Sequence, residues 1–279
     1  MRNVISVDVE DYFHPTEVHA VHAVDTWDTL PSRVADATHR ALDLLARHDT
    51  KATMFVLGWV AKKFPSLIRE IAAAGHEIAC HSYYHRLVYE LSPEEFRRDT
   101  KLALDAISDA CGARPTAYRA PSYSIVKDSL WALEILVELG FTHDSSIYPV
   151  AHDRYGIPDS PRAPYSIETP AGPITEIPIA AVKLSASRVA PVGGGGYLRM
   201  LPYAYTAAGI RRLNEVDQLP ACMYFHPWEL DSAQPRIATG FVSNLRSYLG
   251  LSSMPAKLDR LLGEFEFSTI ADVYNKPQR

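Results

Sequence analysis

Val4-Ile5-Ser6-Val7-Asp8-Val9-Glu10-Asp11 is the stretch that decides the fold. It is a short apolar, β-rich run that ends in three acids, as a buried strand does when it delivers polar groups at its C-terminal end. The same shape recurs along the chain. Ala52–Leu57 (ATMFVL) reads as a buried strand, and Glu77–Cys80 as the next, followed by His81-Ser82-Tyr83-Tyr84-His85. Thr116–Arg119 runs into Ala120-Pro121-Ser122, and Phe141–His143 runs into Asp144. Thr175–Ile179 resumes the pattern, and Ala221–Phe225 ends in His226-Pro227-Trp228-Glu229.

Helical signals fill the intervals. Ser32–His48 places Val34, Ala37, Ala41, Leu44 and Leu45 at helical spacing, with Ser32 as expected N-cap. Pro65–Ala74 begins on Pro and stops at Gly75. Ser92-Pro93-Glu94-Glu95 is a capping box that predicts a helix to about Cys111. Asp128–Leu139 is halted by Gly140. Strand and helix alternating in this way predict an α/β fold with a parallel sheet and outer helices, either barrel-like or doubly wound. Tyr148–Pro173, rich in Pro, Asp, Ser and Gly, reads as excursions on one face, and Gly193–Gly196 as a flexible loop or a close backbone approach. Phe241–Leu249 and Pro255–Leu262 read as C-terminal helices.

Composition narrows the function. The chain has 279 residues, 47% apolar and 22% charged, which is ordinary globular composition. A net charge of −5 with no basic run argues against nucleic acid as a partner. Three cysteines without a CxxC predict a reducing compartment, and no apolar run is long enough for a transmembrane anchor, so a cytoplasmic location is expected. Oligomeric state is left open.

Polar clusters at strand ends are where an α/β barrel gathers its chemistry. His81 and His85, four apart, would share a face on a helical turn and could grip one divalent metal, with a carboxylate completing the site. Asp8 and Glu10 lie on one face of an extended strand. Arg119 could hold a carboxylate in a bidentate pair. The competing interpretations are chance spacing for the two histidines, a solvated strand terminus for the acids and a surface side chain for Arg119, and His14, His19 and His22 have weaker claims because no strand end delivers them.

In order, these motifs resemble the NodB-type polysaccharide deacetylases, carbohydrate esterase family four. The wording Ser6–Phe13, Gly193–Tyr203 and His226–Glu229 resembles the subgroup encoded in exopolysaccharide loci linked to PEP-CTERM protein sorting. The resemblance implies a distorted (β/α)7 barrel of the NodB-homology type with a C-terminal helical extension: one domain, 1–279, with a barrel core to 230 and the extension over 231–279. It implies Asp8 as general base, Arg119 as its partner, the Ser122 backbone N–H as oxyanion donor, His226 as general acid and Asp144 as the acid that orients it. The metal, zinc before other divalent ions, would be held by His81, His85 and either Glu10 or Asp11. Here Val9 stands where the family pattern has its second Asp, and Tyr224 stands where an aliphatic residue is usual. The implied reaction removes the N-acetyl group of an amino sugar in an exopolysaccharide or its precursor. The alternatives are another C–N hydrolase on the same scaffold, allantoinase-like, peptidoglycan-deacetylase-like or metal-independent, or a non-catalytic carbohydrate-binding relative.

Overall fold

The β-branched and aromatic residues at the chain's start and at each recurrence form the strands of one mostly parallel sheet. The structure, a computed structural model, describes residues 1–19, 21–185, 188–240, 244 and 247–274. The strands are β1 Asn3–Val9, β2 Thr53–Val56, β3 Glu77–Cys80, β4 Ala117–Tyr118, β5 His143–Asp144, β6 Tyr165–Thr169, β7 Gly172–Glu176, β8 Ala181–Ser185, β9 Arg188–Pro191, β10 Cys222–Phe225 and β11 Phe267–Ser268. They are ordered β10-β1-β2-β3-β4-β5-β7-β6, with β11 also beside β1; only the β6–β7 pair is antiparallel, and β8–β9 is a separate hairpin. The chain beyond β7 returns to β10, where Ala180 N donates to Cys222 O at 2.9 Å. That bond brings the two ends of the strand row together into a distorted barrel, the α/β class expected.

Helices cover the sheet: α1 Val34–Arg47, α2 Gly58–Lys63, α3 Pro65–Ala73, α4 Pro93–Cys111, α5 Trp131–Glu138, α6 Gly195–Met200, α7 Tyr203–Arg211, α8 Met254–Glu264 and α9 Ile270–Tyr274. The Ser92 capping box is present, with Ser92 Oγ accepting from Glu95 N and Glu95 Oε2 from Ser92 N. Met54 and Val56 are wholly buried against the helices and Phe55 on the opposite face inside the barrel, each stabilising the fold by about 1.5–3 kcal/mol.

One local reading is corrected and two are sharpened. Ser32 does not cap α1 as the sequence suggested. The Asp11 carboxylate does, accepting from Arg33 N (2.8 Å), Val34 N (3.1 Å) and Ser32 Oγ (2.5 Å). Part of the Pro- and Gly-rich middle forms the β6–β7 hairpin. Gly193 and Gly194 are a close approach: a Cβ on Gly194 would lie 1.4 Å from Tyr224 O, and one on Gly193 2.2 Å from the Ile179 side chain. Most of the expected helix over Phe241–Leu249 lies outside the described residues.

Candidate active site

Strand alternation places Asp8 and Glu10 on one face of β1, and both line a cavity of about 380 Å³ at the C-terminal ends of the strands. Arg119, wholly buried one residue past β4, reaches the first of them. Its Nη1 donates to Asp8 Oδ1 at 2.7 Å and to Ser6 Oγ at 2.8 Å. Its Nε donates to Ser145 O at 3.2 Å and its Nη2 to Ser145 Oγ at 3.0 Å, while the guanidinium lies 4.0 Å above the Phe55 ring. Burial alone would make Arg119 easier to deprotonate, but the Asp8 carboxylate outweighs it and holds the guanidinium firmly charged.

Glu10, His81 and His85 form the metal-sized cluster. Their ligand atoms lie within 4.8 Å of one another and all three side chains are buried. His81 Nδ1 is 2.8 Å from Arg119 O, a carbonyl that can only accept, so Nδ1 carries the hydrogen and Nε2 is left for an ion. Burial pulls His81 down to about 4, which keeps the imidazole in its neutral, ligating form. Trp228 Nε1 donates to Glu10 Oε1 at 3.1 Å, and Glu10 Oε2 faces His85 Nε2 at 3.0 Å without a well-formed hydrogen bond. Burial would raise the Glu10 carboxyl, yet the imidazoles of His85, His226 and His81 hold it below the usual carboxylate range. Two imidazole nitrogens and one incompletely satisfied carboxylate fit a divalent ion such as zinc.

The two histidines do not converge on a helical turn, as their spacing suggested. They converge because Ser82 (φ 63°) and His85 (φ 52°) are left-handed, with His85 N donating to Ser82 Oγ at 3.1 Å. Asp99 on α4 holds the bend by accepting from Tyr83 N at 2.8 Å and Tyr84 N at 3.3 Å. Such conformations cost about 1–3 kcal/mol each and gather at functional sites. Asp11, the other candidate ligand, is turned away into its cap on α1, so of the two carboxylates only Glu10 joins the cluster.

His226 stands across the cavity, its Nε2 3.5 Å from Glu10 Oε1 and 3.9 Å from Asp8 Oδ2. Asp144 does not orient it. That acid is Glu229, whose Oε2 lies 3.1 Å from His226 Nδ1 and accepts from His226 N at 3.0 Å. Glu229 Oε1 accepts in turn from Arg199 Nε at 2.9 Å, in a fully buried pair. Burial disfavours the imidazolium, but the hydrogen bond to Glu229 and the charges of Glu10, Glu229 and Asp8 prevail and push His226 up to about 9. His226 and Arg199 hold Glu229 down to about 2 against its burial. Asp144 sits below the cavity, accepting from Ser146 Oγ at 2.5 Å, because its side chain faces the neighbouring strand. A local signal for Glu229 existed. Pro227 opens a single turn whose third residue is Glu229, so the carboxylate folds back on the residue that starts the turn. Nothing in the local pattern distinguishes Arg199.

Ser122 (φ 50°) lines the cavity beside Tyr123 (φ 55°). Of the aromatic residues adjoining the motifs, Tyr123, Tyr197 and Trp228 line it, whereas Tyr12, Phe13, Tyr83 and Tyr84 do not. Tyr89, Tyr155 and Tyr224 line it as well. His14 is buried in a Phe13–Trp27–Trp59 cluster, where its Nδ1 accepts from Asp11 N at 2.8 Å. His19 Nε2 is 2.7 Å from His14 O. Neither belongs to the metal-sized cluster, and nor does His22.

The chain is similar to known proteins in sequence and in fold. Residues 17–143 match the family model described as polysaccharide deacetylase, and residues 145–275 match a domain of unknown function, DUF3473. The chain is 35% identical over 98 residues to a peptidoglycan-N-acetylglucosamine deacetylase of Bacillus cereus, covering 35% of this chain and 36% of that one. It is 33% identical over 132 residues to a chitooligosaccharide deacetylase of Sinorhizobium fredii, covering 47% of this chain and 60% of the other. The alignments thus span about a third to three-fifths of those two relatives. In fold, the chain is similar to a crystal structure described as a putative polysaccharide deacetylase from Mycobacterium smegmatis, with a TM-score of 0.63, 18% identity and coverage of 98% of this chain and 89% of that one. A family 4 carbohydrate esterase from Streptomyces lividans gives a TM-score of 0.51 at 16% identity, covering 96% and 91% of the two chains. A CE4 family pseudoenzyme from Bacillus anthracis gives the same TM-score of 0.51 at 16% identity, covering 97% and 64%, so fold alone does not decide activity. The motif side chains gathered in one cavity thus accompany a match of residues 17–143 to the polysaccharide deacetylase family model and of residues 145–275 to DUF3473.

Proposed function

We propose that this chain is a metal-dependent deacetylase that releases acetate from an N-acetylated amino sugar of an exopolysaccharide or its precursor, with zinc as the ion. One observation carries the reading. The Glu10–His81–His85 cluster lies in one cavity with an Arg-held carboxylate, Asp8, and a Glu-held imidazole, His226. The N-acetylglucosamine named for the Bacillus cereus relative supports the substrate class. The exopolysaccharide assignment and the PEP-CTERM-linked subgroup rest on the sequence wording, and the cytoplasmic setting on three unpaired cysteines.

In this reading Glu10, His81 and His85 hold the ion, which supplies Lewis acidity toward the amide carbonyl and the attacking water. Asp8 takes the proton from that water, held in line by Arg119. The backbone N–H of Ser122 donates to the carbonyl oxygen as charge gathers there, a contribution of about 3–4 kcal/mol for a donor of this kind. His226, protonated at neutral pH, gives its proton to the departing nitrogen so that the sugar leaves as a neutral amine. Glu229 and Arg199 keep that ring turned toward the cavity. The tyrosines of the wall offer ring faces to pyranose C–H groups and hydroxyls to the sugar's own.

The test pairs elemental analysis with acetate release from N-acetylglucosamine oligomers, for wild type and His85→Ala. About one zinc per chain and acetate release, both lost in the variant, is the expected outcome. Zinc binding without turnover on any N-acetylated sugar would move the chain to the carbohydrate-binding alternative, and turnover without metal to the metal-independent hydrolase.

A further inference from the structure

We propose that Asp144 and Glu176 form a proton-sharing carboxyl pair that positions Arg119, and through it Asp8 and His81. The positioning half rests on the deacetylase reading above; the pair itself does not.

Asp144 ends β5 and Glu176 ends β7, and the two are Cα partners in the parallel register, so their side chains emerge on the same face. Asp144 is 1% exposed and Glu176 0%. As cross-strand partners on one face, the two carboxyl groups stand side by side. On the outer side Asp144 Oδ1 accepts from Ser146 Oγ at 2.5 Å, and Glu176 Oε1 from Ile147 N at 3.0 Å. The other oxygens, Asp144 Oδ2 and Glu176 Oε2, have no donor. One proton held between the two groups satisfies both acceptors at once. Two bare carboxylates could not be buried there side by side. The titratable groups around the pair are Tyr118 on β4 and Tyr165 on β6, both neutral, and among the described residues neither acid has an ion-pair partner. Burial pushes both carboxyls upward, and the Asp144 charge adds to the rise of Glu176, in keeping with a retained proton.

The pair grips the active-site scaffold through two serines. Ser146 Oγ, which donates to Asp144, accepts from Ala120 N at 2.8 Å. Ser145 carries Arg119 on its carbonyl and hydroxyl, and its hydroxyl donates to Ile177 O at 2.8 Å, directly after Glu176. Arg119 holds Asp8 with its guanidinium and His81 with its carbonyl. Asp144 falls between the two matched regions and Glu176 within the second, so the pair joins the DUF3473 half to the base and the metal cluster.

Infrared spectroscopy of the full chain at neutral pH reads the shared proton directly. A protonated-carboxyl carbonyl band is expected in wild type and absent from Glu176→Gln, whose amide donates in the proton's place. A wild-type spectrum without that band, or one unchanged in Glu176→Gln, would overturn the pair. Zinc titration reads the positioning without using turnover. Asp144→Ala should weaken zinc binding by about 10–100-fold, as loss of an orienting group does, while Glu176→Gln binds as wild type. Glu176→Gln is close in shape, so it keeps the test valid if Asp144→Ala does not fold. Equal impairment of zinc binding by Glu176→Gln and Glu176→Ala would overturn the positioning role. For turnover, kcat should fall in Asp144→Ala with KM little changed and be preserved in Glu176→Gln. The infrared band and its loss in Glu176→Gln, in a wild type that deacetylates nothing, would uphold the pair and count against the deacetylase reading alone.

Discussion

Two buried acidic constellations lie side by side in this barrel, and they are neutralised in opposite ways. At the cavity, Asp8 faces Arg119, Glu10 faces His85, and Glu229 faces both His226 and Arg199. Below it, Asp144 faces Glu176, and no basic side chain pairs with either among the described residues. Burial penalises the charged carboxylate equally in both places. Bases hold Glu10 and Glu229 ionised at the cavity, whereas the lower pair is driven toward the protonated form. The upper set is therefore charged and suited to moving protons, and the lower set is suited to staying still.

That contrast can be broken from either side. The largest effect belongs to Asp8→Asn, which removes the proposed base while keeping shape. Turnover should fall by about 10²–10⁴-fold with zinc content unchanged, and steady-state kinetics beside elemental analysis would show it. An Asp8→Asn chain with full turnover ends the base assignment. Next comes Arg119→Met. It leaves Asp8 buried without its cation and should destabilise the fold by about 3–5 kcal/mol in a denaturant titration. The smallest effect is a shift in a pH profile. His226 is pushed up to about 9, so as a proton donor it is competent below that value and is lost as pH rises through it. The alkaline limb of kcat should therefore fall near that pH in wild type and move to lower pH in Glu229→Gln, which withdraws the charge that raises it. An unmoved limb would show that Glu229 does not set the acid. For stability, the lower pair runs opposite to the lowered Glu10 and Glu229. Its folded carboxyls are raised, so its contribution is complete below the unfolded values and is lost as pH climbs through the folded ones.

Much of this was legible in the chain itself, for reasons specific to each element. β1 could be read because alternation along a strand puts Asp8 and Glu10 on one face whatever surrounds them, and α4 because Ser92-Pro93-Glu94-Glu95 carries its own cap. Interactions that span long separations could not be read. Asp11 caps a helix that begins 23 residues later, so an acid that looked like a ligand was committed elsewhere. The expected helical pairing of His81 with His85 failed because left-handed residues, not a helix, set the bend. Gly172 and Pro173 read as part of an excursion on one face, and they open β7 next to the hairpin turn, where β7 carries Glu176. Asp144 was recognised as an acid at a strand end, but its partner depends on which strand lies alongside, and sequence periodicity does not fix sheet order.

Arg119 reaches Asp8 through its side chain and His81 through its main chain. A shift of the β4 end would therefore change the pull on the base and the aim of a ligand together, in one motion. The two adjustments cannot be made independently, so variation in this chain that tunes one should come with compensation at the other. The segment following β4 is the place where the tolerance for such change should be narrowest.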